Sequence, residues 1–230
     1  MPYETIFFDL DHTLWDFEKN SSEALSELIV KFELLQKGVS SIDNFLNEYF
    51  IINVRLWDDY RKNIISKETL RYDRFHQALK KFEIDDFELA KAIGNDYVAI
   101  APFKTNLFPY SIEVLKYLKN KYTLHIITNG FEEVQHLKLR NSDLSTYFSE
   151  VITSERSGFK KPDERMFRFS LDLTKAKVET SLMIGDSLEA DIIGAKNVGM
   201  KQVYFNPLGN PHEEELTHEI KSLDELMTIL

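Results

Sequence analysis

No cysteine occurs anywhere in the chain, so a disulfide framework, a thiolate nucleophile and a sulfur-bound zinc are all excluded. Long apolar runs are missing too. No segment approaches the roughly 18 uninterrupted apolar residues of a membrane-spanning helix. The opening "MPYETIFFDL" has neither the basic start nor the apolar length of a secretory leader. A soluble cytoplasmic protein is the expectation. Basic charge is in short supply: 28 Lys and Arg stand against 38 Asp and Glu, for a formal net charge of −10. That argues against a nucleic-acid polymer or an anionic membrane surface as partner. It leaves room for a small anionic substrate, because one metal ion and one lysine can reverse a local field. Internal repeats and low-complexity tracts are absent as well.

What the chain does hold is an ordinary globular balance. Its 230 residues are 43% hydrophobic and 29% charged, enough for one large domain or for a core with an inserted lobe. Two textures alternate. Thr5–Leu10, "TIFFDL", reads as a short strand covered on both faces. From about Phe17 to Ala101 only helical periodicity is visible, in four stripes. These run through Leu25, Leu28, Ile29 and Phe32, then from Ile42 to Tyr60, then Leu70 to Phe82, and finally Phe87 to Ile100.

After Pro102 strands and helices take turns. The strands are read at Tyr122–Thr128, Glu150–Ser154, Ser181–Asp186 and Lys201–Phe205. Helices are read at Ser111–Asn120, Phe131–Arg140, after Pro162 and from Leu188. That alternation predicts right-handed βαβ units and a parallel sheet. "NPLGNPHEEELTHEI" reads as a polar loop and "SLDELMTIL" as a closing helix.

The first strand runs into two aspartates, Asp9 and Asp11, one residue apart. Neighbouring carboxylates at the end of a buried strand cost desolvation and repel each other. In an open parallel sheet, ligands bind outside the carboxyl ends of the strands, and the other strand ends carry chemistry too. Thr128-Asn129-Gly130 ends one, Lys160-Lys161-Pro162-Asp163 follows another, and Asp186 with Asp191 follows a third. Each piece alone fits a plainer role. Asp11 could cap a helix, Asp186 and Asp191 suit a helix's first turn, "TNG" makes a turn, and "KKPD" starts a helix at proline. Together they bring two acid pairs, a hydroxyl with a glycine turn and a lysine to one rim.

"DLDHT", "TNG", "KKPD" and "GDSLEAD" resemble, in that order, the four motifs of the haloacid dehalogenase-like (HAD) hydrolases. "FFDLDHTLWDF" with "ITNG" is similar more narrowly to the pyrimidine 5′-nucleotidases that act on non-standard nucleotides. The resemblance implies an α/β fold, with a Rossmann-like parallel-sheet core built from residues 1–14 and 105–230. An all-helical cap of four-helix-bundle type, residues 15–104, would be inserted after the first strand, closing over the sheet edge and supplying specificity. It also implies Asp9 as nucleophile forming an aspartyl-phosphate, and Asp11 as general acid and then base. Mg²⁺ would be held by Asp9, Asp186 and the backbone carbonyl of Asp11. Thr128 and the backbone N–H groups of Asn129 and Gly130 would bind phosphate oxygens. Lys161 would steady the nucleophile and the transferring group, with Asp191 orienting Lys161 or a water on the ion.

Dehalogenases and phosphonatases of the family have the first aspartate but no carboxylate two places on. Asp11 therefore favours phosphoryl chemistry, with hydrolysis preferred over mutase transfer. The expected substrate is a small phosphate monoester, most like a pyrimidine nucleoside 5′-monophosphate. A sugar phosphate or phosphoglycolate is the alternative, and a partner-binding role for the helical lobe the non-enzymatic one. Trp15 and Phe17 could stack on a base but fit the core better. Trp57 reads as core, and Arg61 is open between the two roles.

Overall fold

The computed structural model describes residues 3–230; Met1 and Pro2, where the leader reading begins, lie outside them. The chain divides into two compact units, one made of residues 1–17 and 105–230 and the other of residues 18–104. Strand β1 (Thr5–Phe8) opens the first unit and is buried along its whole length.

The second unit is helical throughout. It holds α1 (Phe17–Lys31, whose first residue still belongs to the first unit), α2 (Ile42–Arg61), α3 (Lys67–Lys80) and α4 (Phe87–Ile100). Three of the four begin at a side-chain cap that satisfies an orphan backbone donor. Ser41 accepts from Asn44 N–H, Ser66 from Thr69 N–H and Asp86 from Leu89 N–H. The buried stripes meet in an aromatic core, with Tyr49 and Phe75 ring centroids 5.3 Å apart and Phe75 and Tyr97 5.5 Å apart. The buried Arg74 lies among these rings, its guanidinium 4.8 Å from the Tyr97 centroid, and donates to Asn53 Oδ1 at 3.2 Å. Trp57 is half-buried and meets Tyr60 edge-on, while Arg61 lies 3.5 Å from Asp58.

The chain leaves the first unit and returns to it through a closed neck. Phe108 N–H donates to Leu14 O at 2.9 Å, Asp16 N–H to Asn106 O at 3.1 Å, and the Ser111 hydroxyl to Leu14 O at 3.2 Å. Beyond it follow α5 (Ser111–Lys119), β2 (Thr123–Thr128), α6 (Glu132–Asn141) and β3 (Glu150–Thr153). Next come the single turn α7 (Ser154–Ser157), α8 (Glu164–Thr174) and β4 (Ser181–Gly185). A wide π-type turn over Leu188–Ile193 leads into α9 (Gly194–Asn197). The chain ends in β5 (Lys201–Phe205), β6 (His218–Ile220) and α10 (Leu226–Ile229).

The six strands form one parallel sheet in the order β3-β2-β1-β4-β5-β6. The parallel α/β expectation therefore holds, with every β1 residue paired on both sides: Phe8 stands opposite Ile126 of β2 and Ile184 of β4. Between β1 and β4 the winding direction reverses, which opens a crevice at the carboxyl ends. Two sequence readings need correction. The polar loop after Phe205 contains β6, which pairs with β5 from Val203 opposite His218 to Phe205 opposite Ile220. "SLDELMTIL" forms a 3₁₀ turn at Leu223–Glu225 followed by a single α turn rather than one helix. No helix among the described residues is long and apolar enough to cross a membrane.

His125 on β2 is 4% exposed and stacks on Phe7 with centroids 5.3 Å apart. Burial lowers its pKa from 6.5 to about 4, with Glu150 pulling weakly the other way. The folded chain thus keeps His125 neutral where the unfolded chain protonates it. Its contribution is intact above pH 6.5 and is lost as pH falls toward 4. At pH 5 the loss should be about 2 kcal/mol, or roughly 4–8 °C of melting temperature for a chain of this size. His125→Phe should shrink the fall in melting temperature between pH 7.5 and pH 5 by that amount. Equal falls in variant and wild type would contradict it.

Candidate active site

Every strand end that the sequence marks as chemical lies in the first unit, on the same rim of the sheet. Asp9 follows β1, and its backbone N–H donates to Ile184 O at 2.9 Å, so the β1–β4 ladder itself sets where its side chain starts. Asp186 follows β4. Asp191 comes from the wide turn after it, a geometry often found at functional sites. One carboxylate oxygen from each of Asp9, Asp186 and Asp191 lies within 4.8 Å of the other two.

Lys161 reaches into this group from the loop before α8. It is 2% exposed, and its ammonium lies 2.6 Å from Asp9 Oδ1, 2.5 Å from Asp191 Oδ1 and 2.8 Å from Ile127 O. All three ammonium hydrogens therefore have acceptors. The loop is held by its own polar ladder: Lys161 N–H donates to Asn129 Oδ1 at 2.8 Å, and Asn129 Nδ2 donates to Lys161 O at 3.0 Å. Asn129 thus ties the β2 end to the lysine loop through its side chain, a role its place in "TNG" did not reveal.

Asp9 and Asp191 share one ammonium with Asp186 close by, and the crowding shows in the protonation of Asp9 and Asp186. Burial pushes the Asp9 carboxyl well above the usual carboxylate range. Lys161 works against that push, and Asp191 and Asp186 add to it. Asp186 is pushed up to about 7, by burial first and then by Asp191, with the Thr13 hydrogen bond opposing. Burial works against charge on Lys161, but Asp191 and Asp9 outweigh it, so the ammonium is held above its ordinary range. The surplus of negative groups at a rim of oxygen donors fits a hard divalent cation. Asp191 is already spoken for, since its second oxygen accepts Ser187 N–H at 3.0 Å. That leaves Asp9 and Asp186 to face such an ion.

Asp191 is packed closely against Gly185. A Cβ built on Gly185 would sit 2.2 Å from Asp191 Oδ2 and 2.4 Å from Cγ. Gly185→Ala should displace the carboxylate that holds Lys161 and lower kcat by about 10- to 100-fold, with the melting temperature checking that the fold survives. Full activity in that variant would show that Asp191 can shift without consequence.

At the β2 end, the Thr128 hydroxyl accepts Gly130 N–H at 3.1 Å and Gln135 Nε2 at 2.7 Å. Gly130 N–H, expected to face a phosphate, thus donates to Thr128. Asp11, half-buried, is gripped on both oxygens: Lys138 Nζ lies 2.5 Å from Oδ1 and Gln135 Nε2 3.0 Å from Oδ2. Thr13, fully buried, donates to Asp186 Oδ1 at 3.0 Å. The sequence reading missed Thr13, Gln135 and Lys138. The i, i+3 spacing of Gln135 and Lys138 on the helix after "TNG" was the available signal. Trp15 is fully buried and Phe17 8% exposed, so both are core, as the plainer reading had it.

An aspartate at the end of β1 with a second carboxylate two residues on, a lysine and further acids thus meet at one rim of a parallel α/β sheet. The chain belongs to the haloacid dehalogenase-like hydrolases, whose family model matches residues 3–199. It is an enzyme of that family. Among its relatives, "Pyrimidine 5'-nucleotidase PynA" of Streptococcus pneumoniae is 33% identical, over 100% of this chain and 96% of that one. "Pyrimidine 5'-nucleotidase YjjG" of Escherichia coli is 29% identical, over 100% of this chain and 99% of that one. Among solved structures, the HAD-hydrolase YfnB of Bacillus subtilis bound to magnesium superposes with a TM-score of 0.89 at 27% identity. That match covers 100% of this chain and 99% of YfnB.

Proposed function

We propose that the protein is a Mg²⁺-dependent phosphatase that hydrolyses a pyrimidine nucleoside 5′-monophosphate through an aspartyl-phosphate on Asp9. The observation that carries the reading is Lys161, buried between Asp9 and Asp191 beside Asp186. It is an ammonium placed to fix a nucleophilic carboxylate and to offset charge on a transferring phosphoryl group. The narrower choice of a pyrimidine nucleotide is supported by the relatives of that name.

Asp9 attacks phosphorus with one carboxylate oxygen. The bond from phosphorus to the ester oxygen breaks, its electron pair leaving with that oxygen, and Asp11 delivers a proton to it. Water then attacks the aspartyl-phosphate, Asp11 takes the proton back, and the Asp9 carboxylate is regenerated as inorganic phosphate leaves. Lys161 holds Asp9 Oδ1 and so fixes the rotation of the attacking group. The Thr128 hydroxyl, with two donors already on its oxygen, directs its hydrogen to a phosphate oxygen. Asp191 keeps Lys161 in register. Mg²⁺ held by Asp9, Asp186 and the Asp11 carbonyl would neutralise charge on the phosphoryl oxygens and orient them for in-line attack.

The test is phosphate release from dUMP, dTMP and UMP, set against sugar phosphates and phosphoglycolate, with Mg²⁺ and with chelator. Release from the pyrimidine nucleotides that chelator abolishes is the expected result. Preference for a sugar phosphate would overturn the choice of substrate. No release from any ester would overturn the phosphatase itself.

A further inference from the structure

We propose that Lys138 and Gln135 are positioning residues for the proton-transfer step, holding Asp11 at the leaving oxygen and tying it to the phosphate-binding Thr128. The proposal rests on the phosphatase reading above and adds two residues to it. Both lie on one face of α6, three positions apart. Lys138 is the unusual one. Its side chain is 6% exposed against 21% for Asp11, so the cation is hidden and the carboxylate faces outward. Its ammonium lies 4.0 Å from the centroid of the fully buried Trp15 ring and 5.6 Å from that of Phe17. These are distances at which an aromatic face attracts a cation. Taking an ammonium out of water costs several kcal/mol, and an ion pair serving stability alone is cheaper at the surface. A buried cation behind a rim carboxylate is instead a way to fix that carboxylate's direction.

Gln135 completes the grip. It is fully buried, and its Nε2 bridges Asp11 Oδ2 at 3.0 Å and Thr128 Oγ1 at 2.7 Å. Its amide is seated against Gly130 so closely that a Cβ there would lie 2.4 Å from the amide carbon. One amide thereby sets the distance between the group that protonates the leaving oxygen and the group that holds the phosphate. Proton transfer requires hydrogen-bond reach and alignment, and a carboxylate released on both oxygens loses both.

The test uses the leaving group. Protonation matters for the alkoxide of dUMP, or of whichever alkyl phosphate the substrate screen selects, and matters little for p-nitrophenolate. Lys138→Met should lower kcat/KM for the alkyl ester by about 10- to 100-fold, a part of the 10²–10⁴ that acid–base catalysis supplies. It should change kcat/KM for p-nitrophenyl phosphate by less than about 3-fold, since kcat/KM reports the steps up to departure of the alcohol. By contrast, kcat also includes hydrolysis of the aspartyl-phosphate, where Asp11 acts as base for both esters. Lys138→Leu should show the same selectivity and serves as the second variant if Lys138→Met does not fold. Gln135→Met also frees the Thr128 hydroxyl, so it should raise KM for both esters besides lowering kcat/KM more for the alkyl one. In the Lys138 variants, equal losses of kcat/KM on both esters, a rise in KM at constant kcat, or no change would each overturn the proposal. Wild-type protein that cleaves neither ester would overturn the phosphatase reading and this proposal together, before any variant is needed.

Discussion

Replacing Asp9 with asparagine is expected to lower turnover by about 10⁴-fold or more while leaving the melting temperature unchanged or raised. The two halves of that result come from one arrangement. Asparagine keeps an oxygen for Lys161 but cannot form the acyl-phosphate linkage. It also removes one of three carboxylates that each place an oxygen within 4.8 Å of the other two, and one that burial pushes well above its usual range. A folded state freed from that repulsion has no reason to melt earlier, since strain at functional sites is borne by the rest of the fold. Near-normal turnover in the purified variant would rule out the covalent route. A melting temperature several degrees lower would mean that the cluster stabilises the fold instead of straining it.

Replacing Lys161 with methionine should act in the opposite direction on stability. The ammonium has Asp9, Asp191 and the Ile127 carbonyl as partners and is 2% exposed. Removing one side of a buried ion pair costs about 3–5 kcal/mol, because the remaining charge is left uncompensated. For a chain of this size that is roughly 10 °C of melting temperature, measured by thermal scanning with chelator present. Activity should fall by about 10²–10³-fold, the loss usual for a preorganised charge aimed at a transition state. A variant as stable as wild type would mean that the acids shed their charge or rearrange when the lysine goes.

Much of the fold was legible because its strands are short, apolar and bounded by turn residues. The alternation from "TIFFDL" to "KQVYF" pointed to the parallel sheet, with strand ends differing by at most two residues. β6 was not legible. His218-Glu219-Ile220 is three residues long and only Ile220 is buried, so an edge strand made by pairing alone carries no hydrophobic pattern. At the site, the acids and Lys161 could be named because each sits at a strand end or in the loop after one. Gln135 and Lys138 could not. They act from the interior of α6, where a polar residue looks like a solvated face until its neighbours in space are known. Thr13 was hidden inside a recognised motif, its bond to Asp186 spanning 173 positions of the chain.

The neck at Leu14–Asp16 and Asn106–Phe108 bears on how such a protein can change over evolutionary time. Its backbone bonds close the loop at its base, so the entropy of closing the excursion is met there, and grows only slowly with the number of residues beyond it. Lengthening, shortening or exchanging residues 18–104 need not disturb the carboxylates behind the neck. The residues beyond the neck can thus change in number and kind while the bonds that close it, all within the first unit, stay the same.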